Sequence, residues 1–344
     1  MAMMEQKNPF MVVVVIQFIY ALYFLLTKLA FDVGMNTFVF VFYRQAIATL
    51  FLAPFAFFFE RKTAPPLSFC IFIKIFMLSL FGITMSLDIV GLGLKYTSAS
   101  LGAATTNTIP VITFFLAVLL RMEKLNIRTS PGIIKIAGVT LCMGGVAIIA
   151  IYRGPFVKIL VDHHLIHDNH LHQIQQNVPS TKTWIMGVLL MMLSSFSWAM
   201  WLVLQGGVLK SYPSKLLMTT LQCFLSTIQS LVVAAAVARD PAQWRLGLNI
   251  RLLSIAYCGI VVTGLTFYLQ AWVIEKKGPV YLAMTTPLIM VFTIIISAII
   301  FGEIVRLGSI LGALLLVGGL YFVLWGKGKE EERAKGSFQT SGGA

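Results

Sequence analysis

Ten long apolar runs divide this chain of 344 residues. A helix that crosses a bilayer needs about 20 consecutive, mainly apolar residues, and each run comes close to that length. Charged residues, proline and glycine lie between the runs, as in ERKTAPP at 60–66 and EKKGP at 275–279. The pattern predicts ten membrane-spanning helices, over residues 10–31, 37–59, 69–94, 99–120, 131–152, 184–205, 215–238, 250–274, 280–301 and 306–325.

Composition strengthens the membrane interpretation and gives an orientation. The chain is 58% hydrophobic and 11% charged, whereas soluble domains carry about 25% charged residues. The net charge of +13 is explained by Lys and Arg in cytoplasmic loops, so we expect no nucleic-acid partner. With the N-terminus inside, sixteen Lys and Arg residues fall on the cytoplasmic side and eight on the other. This bias predicts that both termini are cytoplasmic.

Cysteine and histidine give little sign of a metal site. The four cysteines lie in apolar runs without CxxC or metal-ligand spacing, so we expect free thiols and no bound metal. All five histidines lie in DHHLIHDNHLH at 162–172. Such a cluster can bind metal or sense pH, but a polar linker of unconstrained composition explains it more simply.

The first apolar run is too long for a signal peptide, which predicts a retained helix.

The two halves of the chain resemble each other. GITMSLDIV from Gly82 aligns without gaps to GLTFYLQAWV from Gly264, and KIAGVTLCMGG at 135–145 shares its glycine spacing with SILGALLLVGG at 309–319. Because five helices is an odd number, two tandem copies must have opposite orientations in the membrane. Inverted repeats with a site at their interface are a recurring transporter plan. We therefore predict a first repeat at 1–152, a His-rich non-cytoplasmic linker at 153–183, a second repeat at 184–326 and a disordered cytoplasmic tail at 327–344.

Charged residues inside the apolar runs are candidates for substrate binding, because a charge at membrane depth costs a few kcal/mol or more. Lys28 lies near the outer end of the first helix, where it could instead snorkel to the interface. Arg44 and Asp88 lie deeper, in the second and third helices. Their alternative role is mutual pairing that only fixes helix packing.

Proline interrupts two of the helices next to threonine pairs. The fourth helix contains TTNTIP, with Thr105, Thr106, Asn107 and Pro110, and the ninth contains Thr285 and Thr286 before a proline. Proline frees a backbone carbonyl, and unsatisfied backbone at membrane depth occurs where it is buried in protein or lines water. We favour a polar cavity over a simple kink with threonines bonded to their own helix.

Aromatic and amide side chains complete the candidate set. Tyr20, Trp198 and Tyr268 could cradle a ligand, although aromatic residues near helix ends also serve as interface anchors. Gln270 is aligned with Asp88 in the other repeat. The glycines of the fifth and tenth helices predict close packing, within the fold or between protomers of a homo-oligomer.

Motifs of catalysis are missing from the sequence. It contains no GxSxG, HExxH, P-loop or dinucleotide-binding glycine motif. We therefore predict no enzyme activity and no cofactor, and transport would be secondary or facilitated.

Four long segments carry a family resemblance: residues 42–62, 93–125, 251–279 and 307–327. They include FYRQAIATLFLAPFAFFFERK, GLKYTSASLGAATTNTIPVITFFLAVLLRMEKL and RLLSIAYCGIVVTGLTFYLQAWVIEKKGP. The chain resembles the plant EamA-type, nodulin-like transporters of the drug/metabolite transporter superfamily, the Walls-Are-Thin-related or usually-multiple-acids-move-in-and-out proteins. The resemblance implies an all-α polytopic membrane protein with ten transmembrane helices in two inverted five-helix EamA repeats. It also implies amino-acid or auxin substrates at the plasma membrane or tonoplast.

The resulting hypothesis is alternating access around a midplane site for amino acids. Asp88 or Asn107 could face the ammonium, while Lys28, Arg44 or threonine hydroxyls could face the carboxylate. The first alternative is a carrier of auxin or another organic anion, which would favour Tyr20, Trp198 and a single cation. A membrane receptor or scaffold is the alternative of a different class, and a lipid-acting enzyme comes last.

Overall fold

The computed structural model describes residues 9–60, 64–97, 102–103, 105–122, 129–152, 156–157, 181–247, 249–301 and 305–341. Within these ranges the fold is almost entirely helical. The first half contains α1 (Pro9–Asp32), α2 (Thr37–Phe59), α3 (Phe69–Tyr96), α4 (Ile109–Leu119), α5 (Ser130–Ile151) and the short strand β1 (Phe156–Val157). The second contains α6 (Thr181–Ser211), α7 (Lys215–Val237), α8 (Ile250–Lys277), α9a (Pro279–Met284), α9b (Pro287–Phe301), β2 (Val305–Arg306) and α10 (Leu307–Ser341).

These helices coincide with the predicted apolar runs. In the described part of the chain, eight helices are long and apolar enough to cross a membrane, and Thr106–Leu119 is a shorter apolar helix. Their outer faces expose large apolar side chains, such as Phe58 at 80% exposure, where lipid would cover them. The prediction of an all-α polytopic membrane protein is confirmed.

The fourth predicted helix is interrupted: Gly102, Ala103 and Thr105 are helical, and the regular helix resumes at Ile109. A 3-10 turn at Thr106–Thr108 precedes α4, and three threonine hydroxyls in this region bond backbone carbonyls three residues earlier. Pro110 is then the second residue of α4, where its missing N–H leaves no intrahelical hydrogen bond unmade. The break therefore comes from the threonine turn that precedes Pro110.

The last helix is longer than predicted. It continues from the membrane segment to Ser341, through most of the range 327–344 for which the sequence predicted a disordered tail. Its extension contains KGKEEERAK, rich in residues of high helix propensity. Within it, Glu330 forms an ion pair with Lys135 of α5, which fixes the beginning of the extension.

Two helices contain π-helical segments that the sequence did not predict. They are Leu78–Thr84 in α3 and Tyr257–Leu265 in α8, and each contains one of the aligned glycines, Gly82 or Gly264. A π turn inserts an extra residue per turn and re-aims the side chains that follow it. The equivalent position of the two segments supports the repeat alignment. Ser86 and Gln270, which follow these segments, both line the cavity described below.

Glycines bring α5 and α10 into backbone contact. A Cβ atom on Gly138 would lie 2.7 Å from the carbonyl oxygen of Gly319, and one on Gly319 would lie 2.6 Å from that of Gly138. Gly145 approaches the carbonyl of Gly312 in the same way, at 2.9 Å. Small residues permit such close helix packing in membranes. These glycines therefore pack within the chain, which is the first of the two roles predicted for them.

Candidate functional site

A cavity of about 70 Å³ lies between the two halves of the chain. That volume has room for several water molecules. Its wall is formed by helices of both repeats, namely α1, α2, α3, α4, α6, α8, α9a and α9b. The lining residues are Gln17, Tyr20, Tyr23, Phe24, Arg44, Ser86, Leu87, Val90, Gly102, Thr105, Thr106, Ile109, Met191, Ser194, Ser195, Trp198, Leu202, Gln270, Leu282, Thr286 and Ile289.

Arg44 brings a positive charge to this cavity. It is 1% exposed, its Nε donates to the Thr263 hydroxyl at 2.7 Å, and its guanidinium lies 4.8 Å from the ring centre of Tyr23. No carboxylate among the described residues lies within ion-pair distance of it, Asp88 included. Removing a charge from water without a counter-charge is costly. The guanidinium is thus suited to receive an anionic group of a ligand.

Aromatic rings form a continuous layer beside the arginine. The Tyr20 ring contacts those of Tyr23 and Trp198 edge to face, at centroid distances of 6.0 and 6.2 Å. Trp198 packs on Trp201 at 4.7 Å, and Phe267 of α8 contacts both tryptophans. These contacts fix the rings that line the cavity, so they present a rigid surface to an apolar or aromatic ligand group.

Two glutamines add amide groups to the wall. Gln270 Nε2 donates to the Tyr20 hydroxyl at 2.9 Å, and Gln17 Nε2 donates to the Thr285 hydroxyl at 2.6 Å. Each bond joins a residue of the first repeat to one of the second. The Oε1 atom of Gln270 is buried and has no partner among the described residues.

The threonine pairs of the two repeats adopt the same local structure. In the first repeat, the Thr105 and Thr106 hydroxyls donate to the carbonyls three residues earlier, those of Gly102 and Ala103. In the second repeat, Thr285 and Thr286 donate in the same way to Leu282 and Ala283, and all four distances are 2.6–2.9 Å. The helix restarts after each pair. The sequence therefore located both helix breaks, and threonine hydroxyls satisfy local carbonyls there, as the simple-kink alternative proposed.

Serines connect three helices around the cavity. The Ser194 hydroxyl of α6 donates to the Ser86 carbonyl of α3 at 2.9 Å, and the two hydroxyls lie 3.2 Å apart. The Ser195 hydroxyl donates to the carbonyl of Thr105 at 3.3 Å. The serine side chains are small enough to leave space between the helices while they hold them together.

The structure brings seven of the thirteen predicted site residues to the cavity wall: Tyr20, Arg44, Thr105, Thr106, Trp198, Gln270 and Thr286. Lys28 lies elsewhere, because its ammonium pairs with Asp32 at 2.9 Å and donates to the Leu94 carbonyl. Tyr268 is half-buried and is not part of the wall. Its neighbour Phe267 contacts both tryptophans. Thr285 lies behind the wall and holds Gln17.

Asp88 also lies off the cavity wall. It follows Thr84 by four residues and precedes Gly91 by three, which places these residues on one side of the helix. The Thr84 hydroxyl hydrogen-bonds with Ser226 and Gln229 of α7. A Cβ on Gly91 would contact Thr37 of α2. This side of α3 therefore faces α7 and α2. Asp88 is 8% exposed, and its Oδ1 has no partner among the described residues. Its role in transport stays a prediction.

Asn107 and Pro110 are buried between helices rather than on the wall. Asn107 Nδ2 contacts the Met290 sulfur at 3.2 Å, and its Oδ1 has no partner in the described part of the chain. In the repeat alignment given by the threonine pairs, Asn107 of the first repeat corresponds to Pro287 of the second. The two breaks therefore match at the threonines, while their prolines are out of register.

Six polar or aromatic wall residues were missed by the sequence analysis: Gln17, Tyr23, Phe24, Ser86, Ser194 and Ser195. Gln17 interrupts VVVVIQFIY, and Ser194 and Ser195 begin SSFSW in an otherwise apolar run. A polar residue inside such a run was itself a sufficient signal for Gln17. Serine is a weaker one, because its hydroxyl can bond the preceding turn of its own helix.

Metal ligands do not cluster in the described residues, where no group of three or more His, Cys, Asp or Glu residues could hold an ion. The cysteines within the described ranges are free thiols, as predicted. The histidine cluster at 162–172 lies outside the described residues, so its metal-binding and linker interpretations stay predictions.

Fold and cavity define a multi-pass integral membrane protein with a polar and aromatic chamber between two inverted five-helix repeats. The model of the EamA-like transporter family matches residues 9–151 and 185–325, which correspond to the two repeats. The chain belongs to this family of membrane transporters.

Similar proteins come from Arabidopsis thaliana. WAT1-related protein At5g64700 is 57% identical over 334 residues, covering 96% of this chain and 93% of the relative. WAT1-related protein At1g43650 is 47% identical, with 96% and 94% coverage. Protein WALLS ARE THIN 1 is 38% identical, with 98% and 88% coverage. The predicted resemblance to plant WAT1-related EamA transporters is confirmed.

A solved crystal structure also resembles the chain. It covers 90% of this chain and 95% of its own, with a TM-score of 0.62 and 14% sequence identity. At that identity the likeness shows the fold alone. It supports the arrangement of the helices and carries no information about the ligand.

Proposed function

We propose that this protein is a secondary or facilitative transporter of small organic solutes that carry a carboxylate, with amino acids as the leading class. The buried guanidinium of Arg44 carries the proposal, since it lines the cavity without a carboxylate partner among the described residues. A bidentate arginine–carboxylate contact is a strong, oriented interaction. A solute carboxylate would neutralise the charge and be held at the centre of the membrane.

Alternating access follows from the inverted repeats. The cavity wall is shared between the halves, so rocking one half against the other would open it to one side of the membrane at a time. Cross-repeat bonds such as Gln17–Thr285 and Tyr20–Gln270 would break or re-form during this motion. In this proposal both termini are cytoplasmic. The membrane across which the solute moves is the plasma membrane or the tonoplast.

A second substrate class is supported by a separate observation. Tyr20, Tyr23 and Trp198 form one side of the cavity, next to Arg44, the one cation of the described wall. That combination suits an aromatic organic anion such as an indole carboxylate, the auxin-like alternative. Asp88, the carboxyl predicted to face an ammonium, is not part of the wall.

Reconstituted liposomes provide the test. Uptake of labelled glutamine and labelled indole-3-acetate would be measured for the unmodified protein, Arg44→Gln, Arg44→Lys and Lys28→Gln. Losing a charged hydrogen-bond partner costs about 1.5–3 kcal/mol, so we expect Arg44→Gln to reduce uptake at least about tenfold. Lys28→Gln is the matched control, because Lys28 pairs with Asp32 outside the cavity.

Two results would contradict the proposal: one concerns the role of Arg44, and the other concerns transport itself. Full uptake by Arg44→Gln at equal incorporation would remove Arg44 from the site. Failure of the unmodified protein to move any carboxylate solute in a panel, at two pH values, would favour the receptor or scaffold alternative. Competition between glutamine and indole-3-acetate in one assay separates the two substrate classes.

A further inference from the structure

The orientation of the Gln17 amide is determined by its partner. The Thr285 hydroxyl has one proton, which it donates to the Leu282 carbonyl at 2.7 Å. Thr285 can therefore only accept from Gln17, and the atom 2.6 Å away must be the amide nitrogen. This leaves Oε1 as the acceptor atom of a side chain that lines the cavity.

Gln270 supplies a second acceptor, on another side chain of the cavity wall. Its nitrogen donates to the Tyr20 hydroxyl at 2.9 Å, which leaves Oε1 buried without a partner among the described residues. The side chain is 2% exposed and lines the cavity. A buried carbonyl oxygen without a donor is unfavourable, so this position is suited to receive an N–H or O–H from a bound molecule.

Contacts between neighbouring residues connect these acceptors to the anion site. Arg44 lies over the Tyr23 ring, Tyr23 contacts Tyr20, and Tyr20 accepts from Gln270. One side of the cavity therefore runs from a cation, across two aromatic rings, to an amide oxygen. No Asp or Glu side chain belongs to the described wall.

We propose that Gln17 and Gln270 form a subsite that recognises a nitrogen-bound hydrogen of the transported solute. The inference rests on the proposed function, because it assumes that Arg44 holds the carboxylate of the same molecule. Its ligand class is a small carboxylate with an N–H donor, either an ammonium or a ring N–H. Neutral acceptors bind both types of donor, whereas a carboxylate would strongly favour the ammonium. The amide pair thus takes the place that sequence analysis gave to Asp88.

Matched ligand pairs test this subsite. Two pairs of competitors would be compared in liposomes: phenylalanine with 3-phenylpropionate, and indole-3-acetate with 1-benzothiophene-3-acetate. Each would compete with the uptake of labelled glutamine or labelled indole-3-acetate. Within each pair the carboxylate is retained and the N–H is lost. A site built to hydrogen-bond a donor discriminates against analogues that lack it. We expect the N–H compound of at least one pair to compete about tenfold more strongly.

Substitutions locate the discrimination. Gln270→Met and Gln17→Met keep side-chain length and remove the acceptor, so either change should bring the ratio within the preferred pair close to one. Competition by the N–H-free compound should stay within about twofold, because its carboxylate contact is unchanged. Gln45→Met is the matched control: Gln45 is fully buried on α2 and does not line the cavity. It should leave the ratio unaltered.

The outcomes separate this inference from the proposed function. Equal competition within both pairs by the unmodified protein, or an unchanged ratio in both Gln17→Met and Gln270→Met, would overturn the N–H subsite and leave carboxylate transport standing. No competition by any of the four compounds would contradict the carboxylate site and the subsite together.

Discussion

A Cβ atom built on Gly82 would lie 2.3 Å from the Cδ1 atom of Trp201, so the backbone of α3 lies directly against the indole of α6. Trp201 is fully buried and packs on Trp198, which lines the cavity. Its indole nitrogen also donates to Gln222 of α7 at 3.3 Å. The missing side chain of Gly82 therefore sets the position of the aromatic layer around the site.

Gly82→Ala should consequently destabilise the protein and disturb the cavity. The added methyl group overlaps a ring that Trp198 and Phe267 hold in place. Overpacking of this kind costs about 1–3 kcal/mol. We expect a lower thermal unfolding midpoint in detergent and reduced uptake. Gly207→Ala is the control, because a Cβ at Gly207 has no neighbour within 4 Å; similar losses in both variants would argue against the packing explanation.

Sequence patterns were sufficient to predict the membrane helices and the two repeats, because both depend on the spacing of residues along the chain. Twenty apolar residues define a membrane helix, and the alignment from Gly82 and Gly264 identified the repeats. The π-helical segments around these glycines could not be predicted, because they depend on how α3 and α8 pack against neighbouring helices. An extra residue per turn changes which side chains face inward.

The same limit applies to the candidate site. Polar residues in apolar runs indicated Arg44 and Gln270, which both line the cavity, since membrane burial of such groups requires partners or function. The pattern could not say which way Asp88 faces, because helix rotation is set by tertiary contacts such as Gly91 against Thr37. Nor could it show that Lys28 has a partner one turn away in Asp32.

Thr263→Val tests the support of the buried arginine. The change keeps the shape of Thr263 and removes the hydroxyl that accepts from Arg44 Nε at 2.7 Å. A buried charged donor left without its partner costs about 1–3 kcal/mol. We expect a lower unfolding midpoint and a raised KM for uptake, both measured against Thr263→Ser, which keeps the hydroxyl. A KM and midpoint equal to those of the unmodified protein would show that Arg44 does not depend on Thr263.

Gly138→Val should separate α5 from α10. Its side chain would collide with the carbonyl of Gly319, a backbone atom that cannot move aside. We expect a loss of stability of about 1–3 kcal/mol or more, seen as a lower unfolding midpoint and reduced yield of folded protein. Gly144→Val on the same helix serves as the control, because a Cβ there meets nothing within 4 Å. Comparable effects of the two substitutions would contradict the close crossing.

Asp88→Asn should reduce uptake several-fold without loss of membrane expression. A charged residue at membrane depth is expensive, and Asp88 is buried with an oxygen that lacks a partner in the described residues. Asparagine keeps its shape and removes the ionisable group, so a defect at normal stability would assign a role to the carboxyl itself. Thr113→Val, which also alters a buried polar atom without a described partner, should leave uptake near normal. If Asp88→Asn transports as well as that control, Asp88 serves only helix packing between α2, α3 and α7.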